Sequence, residues 1–228
     1  MPAINPRYRP MGDRSLLVEL GDDVNLEVNR QIRCLYLTMK TRRMEGIVDL
    51  MPGYCSILIV FDPLTLSPDN LRKKIADLVD IMDPAKLPEP QTHRVPVVCG
   101  DEYSPDLDWV ASYHHTTPEE VVRRLTDTVY HIYMIGFMPG FAYMGELPEN
   151  LVTPRRAVPR TAVPRGSVGI AQKQAGIYPV KSPGGWQILG YTPLRLFDHS
   201  RHPPALLSAG DRVQFYSISS EELSRWET

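Results

Sequence analysis

A short apolar run, SLLVEL at Ser15 to Leu20, gives way to hydrophobic positions three or four apart at Val28, Ile32, Leu35, Tyr36 and Met39. That change of period predicts a strand feeding an amphipathic helix. GIVDLM and SILIVF read as two more strands about the turn-prone Pro52-Gly53, and Ser67-Pro68 is a cap and first-position pair. It opens a helix whose apolar face is Leu71, Ile75, Leu78, Val79 and Met82. With a last strand at HRVPVVC, the order β-α-β-β-α-β predicts a ferredoxin-like α/β sandwich. Three prolines between Met82 and Pro90 end the second helix and stiffen a connection, so we set the domain boundary there, residues 1–88 against 89–228.

Beyond that boundary the pattern changes. Ser104-Pro105 and Thr117-Pro118-Glu119-Glu120 read as helix starts, the second with Glu120 placed to complete a capping box. After them YHIYMIGF, SVGIA, GWQILGY, LRLF and DRVQFYSI are short strands separated by glycine and proline, which predicts a compact β-barrel and an α+β protein overall. Nine of the fifteen glycines lie between Gly136 and Gly190 and serve either as barrel corners or as points of close approach by a ligand. The uncharged run Thr128 to Gly145 is broken by Gly136, Pro139 and Gly140, so it reads as a buried strand entering a loop rather than a membrane span.

Charge narrows the function classes. The chain has 228 residues and a net charge of -2, which gives no overall reason to expect nucleic acid or an anionic membrane as partner. Cys34, Cys55 and Cys99 are too far apart for a disulfide framework or a clustered metal site, and read as thiols in a reducing cytoplasm. The first residues, MPAINPRYRPMGDR, lack the apolar core of a signal peptide. Locally, however, Asn150 to Phe197 carries Arg155, Arg156, Arg160, Arg165, Lys173, Lys181 and Arg195 and no acidic residue. Where such side chains converge they suit a carboxylate, a phosphate or an acidic partner; spread around a barrel they are solvated. Phe137, Phe141, Tyr143, Tyr178 and Trp186 all lie within two residues of Gly or Pro, which serves a pocket wall or a packed core.

Standard catalytic signatures are missing. There is neither a GxxxxGK[ST] nor a GxGxxG loop, and no G-x-S-x-G elbow activates Ser167 or Ser182. His114 and His115 are adjacent, so on a helix they diverge by about 100 degrees and do not share a metal. His131, in a predicted strand, faces either core or pocket.

Taken together, GDRSLLVELG, PGYCSILIVFDP, SPDL, GFMPGFAYMGELP, TPRRAVPR, GSVGIA and QAGIYPVKSPGGWQILGYTPLRLFD resemble the family of 5-oxoprolinase B subunits, which includes sporulation-kinase inhibitors and the subunit-1 half of allophanate hydrolase and carboxyltransferase modules. The resemblance covers nearly the whole chain. It implies a small α+β domain followed by a cyclophilin-like barrel. It also implies work in the cytoplasm with two partners, a hydrolase component of the A type and a related barrel subunit, to open 5-oxoproline to glutamate with ATP. The chain alone is expected to be inactive, and which component binds ATP stays open. The motif matches place catalytic roles on Arg160, Gln174 and Ser182. Substrate contact falls on Phe137, Pro139, Gly140, Phe141 and Tyr143 on one side, and on Tyr178, Pro179, Pro183, Gly184, Gly185 and Trp186 on the other. The same family leaves two alternatives: a carboxyltransferase component that acts on urea-like nitrogen, and a non-enzymatic histidine-kinase inhibitor. Ala142, Met144, Arg165, Ala175 and Ser104 depart from the family pattern.

Overall fold

The structure, a computed structural model, describes residues 5–226 with the exception of residue 24. The chain divides into two compact units, one ending at Glu89 and the other beginning at Pro90.

In the first unit, β1 (Arg7–Pro10) and β2 (Ser15–Glu19) lead into α1 (Leu26–Arg42), then β3 (Ile47–Pro52), β4 (Ser56–Phe61) and α2 (Pro68–Ile81). The strands pair antiparallel in the order β1-β2-β4-β3. Alternation puts Leu16, Val18, Ile57, Ile59 and Phe61 on one face, where they pack against Ile32, Leu35 and Met39 of α1 and Leu71, Ile75 and Leu78 of α2. Asn25 caps α1 by accepting from the Val28 N–H at 2.9 Å, and Ser67 caps α2 through the Asn70 N–H at 3.3 Å.

One expected pairing is overturned. HRVPVVC does form a strand, β5 (Thr92–Val97), but β5 pairs parallel to the last strand of the second unit, and β1 takes the fourth place in the first sheet. The reason lies in the pattern of burial. Val95, Pro96 and Val97 are buried in succession, so β5 needs cover on both faces, whereas Arg7–Pro10 is almost wholly exposed and suits a sheet edge.

The second unit continues with α3 (Leu107–Tyr113), α4 (Pro118–Asp127), β6 (Val129–Ile135), β7 (Ala142–Gly145), β8 (Arg160–Val163), β9 (Ser167–Ala171) and β10 (Gln174–Ile177). It ends with β11 (Ser182–Gly184), β12 (Gln187–Tyr191), β13 (Arg212–Ser217) and the short α5 (Ser220–Ser224). Seven strands run in the order β12-β9-β10-β7-β6-β13-β5. Val98, just past β5, exchanges two backbone hydrogen bonds of 2.8 and 2.9 Å with Tyr191 of β12, so the sheet nearly closes into a barrel. Val168, Ile170, Ala175, Ile177, Ala142, Met144, Tyr130, Ile132, Val213 and Phe215 belong to the main core of this unit.

Three local expectations change as well. LRLF forms no strand; among the described residues only Phe197 makes a bridge there, to Ala205. Ser104 does not cap α3, because its hydroxyl accepts from the Gly100 N–H and donates to the Leu189 carbonyl, and the helix starts later at Leu107. Thr117 does cap α4, but the Glu120 carboxylate turns to Arg123 and Arg124 rather than back to the cap; the completed box is at Ser219 and Glu222. No described helix is long and apolar enough to cross a membrane.

Candidate functional site

Strands β8 and β11 form a separate antiparallel ribbon, with Ser182 opposite Val163 and Gly184 opposite Arg160. Residues 169, 171, 174 and 176 of β9 and β10 alternate with the core-facing residues and so share the outer face of the wall. There Ala171 joins Phe141, Val163, Tyr178, Trp186 and Ile188 in a second, smaller core. Phe141 is its centre: its ring lies 4.8 Å from Tyr143, 5.4 Å from Tyr178 and 5.5 Å from Trp186, centroid to centroid. All three contacts are edge-on, the arrangement aromatic quadrupoles favour. A side chain on Gly176 would begin 2.9 Å from both Phe141 and Trp186, so only glycine lets these rings reach the wall.

The loop before Phe141 is folded tightly, with the Gly136 N–H donating to the Phe141 carbonyl at 3.1 Å. Gly140 has φ +82 and packs against Phe197, while Phe137 holds φ 64 with its ring largely exposed. Burial raises the Tyr178 and Tyr143 hydroxyls above the ordinary phenol range.

Arg160 stands at the start of the ribbon, and its partner is a residue outside the basic run. Asp106, only 2% exposed, accepts from Arg160 Nη1 and Nη2, both at 2.8 Å, and from Arg156 Nη1 at 2.7 Å. The Ile188 N–H donates to the same carboxylate at 2.7 Å, and the Asp106 N–H returns a bond to the Ile188 carbonyl at 3.2 Å. Two guanidiniums against one carboxylate leave the cluster with a formal excess of one positive charge. Arg195 pairs with Asp198 at 3.2 Å, whereas Arg155, Arg165, Lys173 and Lys181 are exposed and pair with no carboxylate among the described residues.

Beside Arg160 is a cavity of about 270 Å³. Tyr103, Pro105, Pro164, Ile188 and Tyr191 supply most of its wall, Ser167 and Arg160 its polar groups, and exposed Glu102 also borders it. Tyr103 and Tyr191 lie 5.6 Å apart, centroid to centroid. The arrangement offers one fixed guanidinium in an aromatic and aliphatic surround, which suits a small molecule bearing one anionic group.

The structure therefore brings Phe141, Tyr143, Tyr178 and Trp186 together, with Phe137 5.7 Å from Phe141 at the exposed edge. Arg160 meets the cavity, but Gln174 and Ser182 do not line it. Gln174 shares the outer wall face with Gly176, and the Ser182 hydroxyl donates to the Pro183 carbonyl at 3.3 Å. Pro139 and Pro183 are exposed, Pro179 is buried, and Gly185 accepts the Arg156 N–H at 2.8 Å. Sequence reasoning did not single out Asp106, Tyr103 or Tyr191 as site residues, although Asp106 lies in the SPDL motif. No group of three or more His, Cys, Asp or Glu side chains able to hold a metal forms among the described residues.

Comparison with known proteins fits this architecture. Residues 6–207 match the family model of the carboxyltransferase domain, subdomain C and D. The B subunit of 5-oxoprolinase from Haemophilus influenzae is 38% identical over 214 residues, 90% of this chain and 95% of that protein. Urea amidolyase of Saccharomyces cerevisiae is 27% identical over 96% of this chain, which corresponds to 14% of that much longer protein. The crystal structure of TTHA0988 superposes with a TM-score of 0.80 at 32% identity, covering 90% of this chain and 40% of that one. The chain thus belongs to the carboxyltransferase-domain family, subdomains C and D, and within it to the B subunits of 5-oxoprolinase.

Proposed function

We propose that this chain is the B subunit of an ATP-dependent, cytoplasmic 5-oxoprolinase that opens 5-oxoproline to glutamate together with a hydrolase component of the A type and a related barrel subunit. The first unit is read as ferredoxin-like and the second as cyclophilin-like. The observation that carries the proposal is Arg160, locked by buried Asp106 and bordering an aromatic cavity, in a chain that matches the B subunit of a 5-oxoprolinase over nearly its full length.

In this reading Arg160 takes the carboxylate of 5-oxoproline through paired hydrogen bonds, and Tyr103, Pro105 and Tyr191 hold the apolar ring edge against water. A lactam carbonyl is a poor electrophile. Transfer of the terminal phosphoryl group of ATP to the lactam oxygen would make the carbon electrophilic; one water adds to that carbon, the ring C–N bond breaks as the nitrogen leaves protonated to give an acyl phosphate, and a second water hydrolyses the acyl phosphate to glutamate and phosphate. The residues at Arg160 do not fit a triphosphate, because one excess positive charge faces several negative ones, so the nucleotide is assigned to a partner subunit. That division makes the chain inactive alone. Gln174 and Ser182 remain candidates through the outer wall and ribbon rather than through the cavity.

The carboxyltransferase reading, transfer of a carboxyl group to a urea-like nitrogen, is favoured by the family model and by the match to urea amidolyase. One assay separates the two. ATP-dependent release of glutamate from 5-oxoproline is measured with the purified subunits and with each omitted in turn. Release only by the full set supports the proposal; no release from a correctly assembled set sinks it.

A further inference from the structure

We propose that Asp106 is a positioning and specificity-determining residue that makes the cavity at Arg160 selective for a monoanion over a dianion. The inference rests on the assignment of this cavity to the substrate carboxylate and deepens it. An arginine has five N–H donors, and Asp106 uses one on each Nη of Arg160, which leaves three. The fork is held by a carboxylate that is itself tied down by the Ile188 N–H and by Arg156. The guanidinium plane is therefore fixed, and an incoming carboxylate meets donors already in place.

The charge count sets the selectivity. The Arg156 and Arg160 guanidiniums face one Asp106 carboxylate, a formal excess of one positive charge beside a cavity walled by Tyr103, Pro105, Pro164 and Ile188. One anionic charge is compensated by that cluster, exposed Glu102 at the border facing solvent. A second would remain unpaired against an apolar wall, with Glu102 at the border opposing it. Asp106 thus does two things at once: it orients Arg160 and it holds the local charge to what a carboxylate needs.

The test is calorimetric binding to the full chain, with 5-oxoproline as the monoanion and sulfate as the dianion. Wild type is expected to favour 5-oxoproline by about tenfold or more. Asp106→Asn, which raises the excess charge from one to two, is expected to weaken 5-oxoproline and strengthen sulfate, each by about tenfold. Arg156→Gln brings the excess to zero while both Arg160 bonds to Asp106 and the Ile188 N–H tie remain, and is expected to weaken both anions by about tenfold; it serves as the probe where Asp106→Asn does not fold. A residue with a merely structural role would lower stability and leave the ratio alone. Wild-type selectivity in Asp106→Asn, wild-type affinities in Arg156→Gln, or no binding of 5-oxoproline to the wild-type chain would overturn the inference. If the selectivity shifts as stated but the assembled complex releases no glutamate, the 5-oxoprolinase reading falls and the monoanion site stands. If the complex is active and the ratio does not move, the reverse holds.

Discussion

At the scale of single residues, the decisive feature is a carboxylate far from the basic run in sequence. Asp106 is buried, so truncating it strands two guanidiniums and the Ile188 N–H without their common acceptor. Asp106→Ala is expected to cost about 3–5 kcal/mol in urea denaturation, the usual penalty for breaking a buried ion pair. The same coupling governs Arg160: alanine there destabilises the fold as well as the site, so Arg160→Lys, which keeps the charge and loses the fork, is the cleaner probe of activity. Titration supplies a second residue-scale prediction. Side-chain hydrogen bonds from Arg123 and Arg124 hold the Glu120 carboxyl down to about 2, below its ordinary 4.5. A depressed acid stabilises the fold above its unfolded value and loses that contribution as pH falls from about 4.5 to about 2. Cys99 has the opposite sense. Burial pushes its thiol from 9.0 up to about 12, so its contribution is whole below pH 9 and fades as pH rises toward 12. Denaturation midpoints across pH should fall at both ends, the acid limb being shallower in Glu120→Gln and the alkaline limb shallower in Cys99→Ala.

At the scale of elements, the long periodic segments were legible and the short ones were not. The apolar faces of α1 and α2 and the alternation in β4 follow from local sequence, because each buries one face against one neighbour. Strands β8, β10 and β11, of four, four and three residues, carry too few positions for a period to register. The partner of β5 is equally hidden, since its parallel mate β13 begins at Arg212, long after Thr92. The site was half legible for the same reason: Gly- and Pro-flanked aromatics announced the outer cluster, but the Asp106 to Arg160 pairing and the Tyr103 to Tyr191 wall are products of barrel closure. Two predictions test the elements. Trp186→Ala should cost about 3–5 kcal/mol by emptying the small core under the ribbon. Gly176→Val drives a side chain into Phe141 and Trp186, and should reduce near-ultraviolet circular dichroism while the main barrel keeps its far-ultraviolet signal.

At the scale of the whole molecule, each unit has its own core, and the break between Glu89 and Pro90 falls in the proline-rich connection, before the first residue of β5. A cut there removes no strand from the barrel: β5 keeps β13, and Val98 keeps Tyr191. The basic cluster, the aromatic core and the cavity all lie on the later side of the cut. Residues 90–228 expressed alone should therefore fold cooperatively and bind 5-oxoproline within about threefold of the full chain, because every residue of the barrel sheet, the basic cluster and the cavity is retained. A cut twelve residues later would behave differently, since it deletes β5 and leaves β13 with an open edge and Tyr191 without its closing bonds. Differential scanning calorimetry of the two fragments decides the matter: a sharp transition for 90–228 and none for the shorter piece places the functional unit in the barrel. A fragment 90–228 that melts without cooperativity would mean that the first unit is needed to hold the barrel shut.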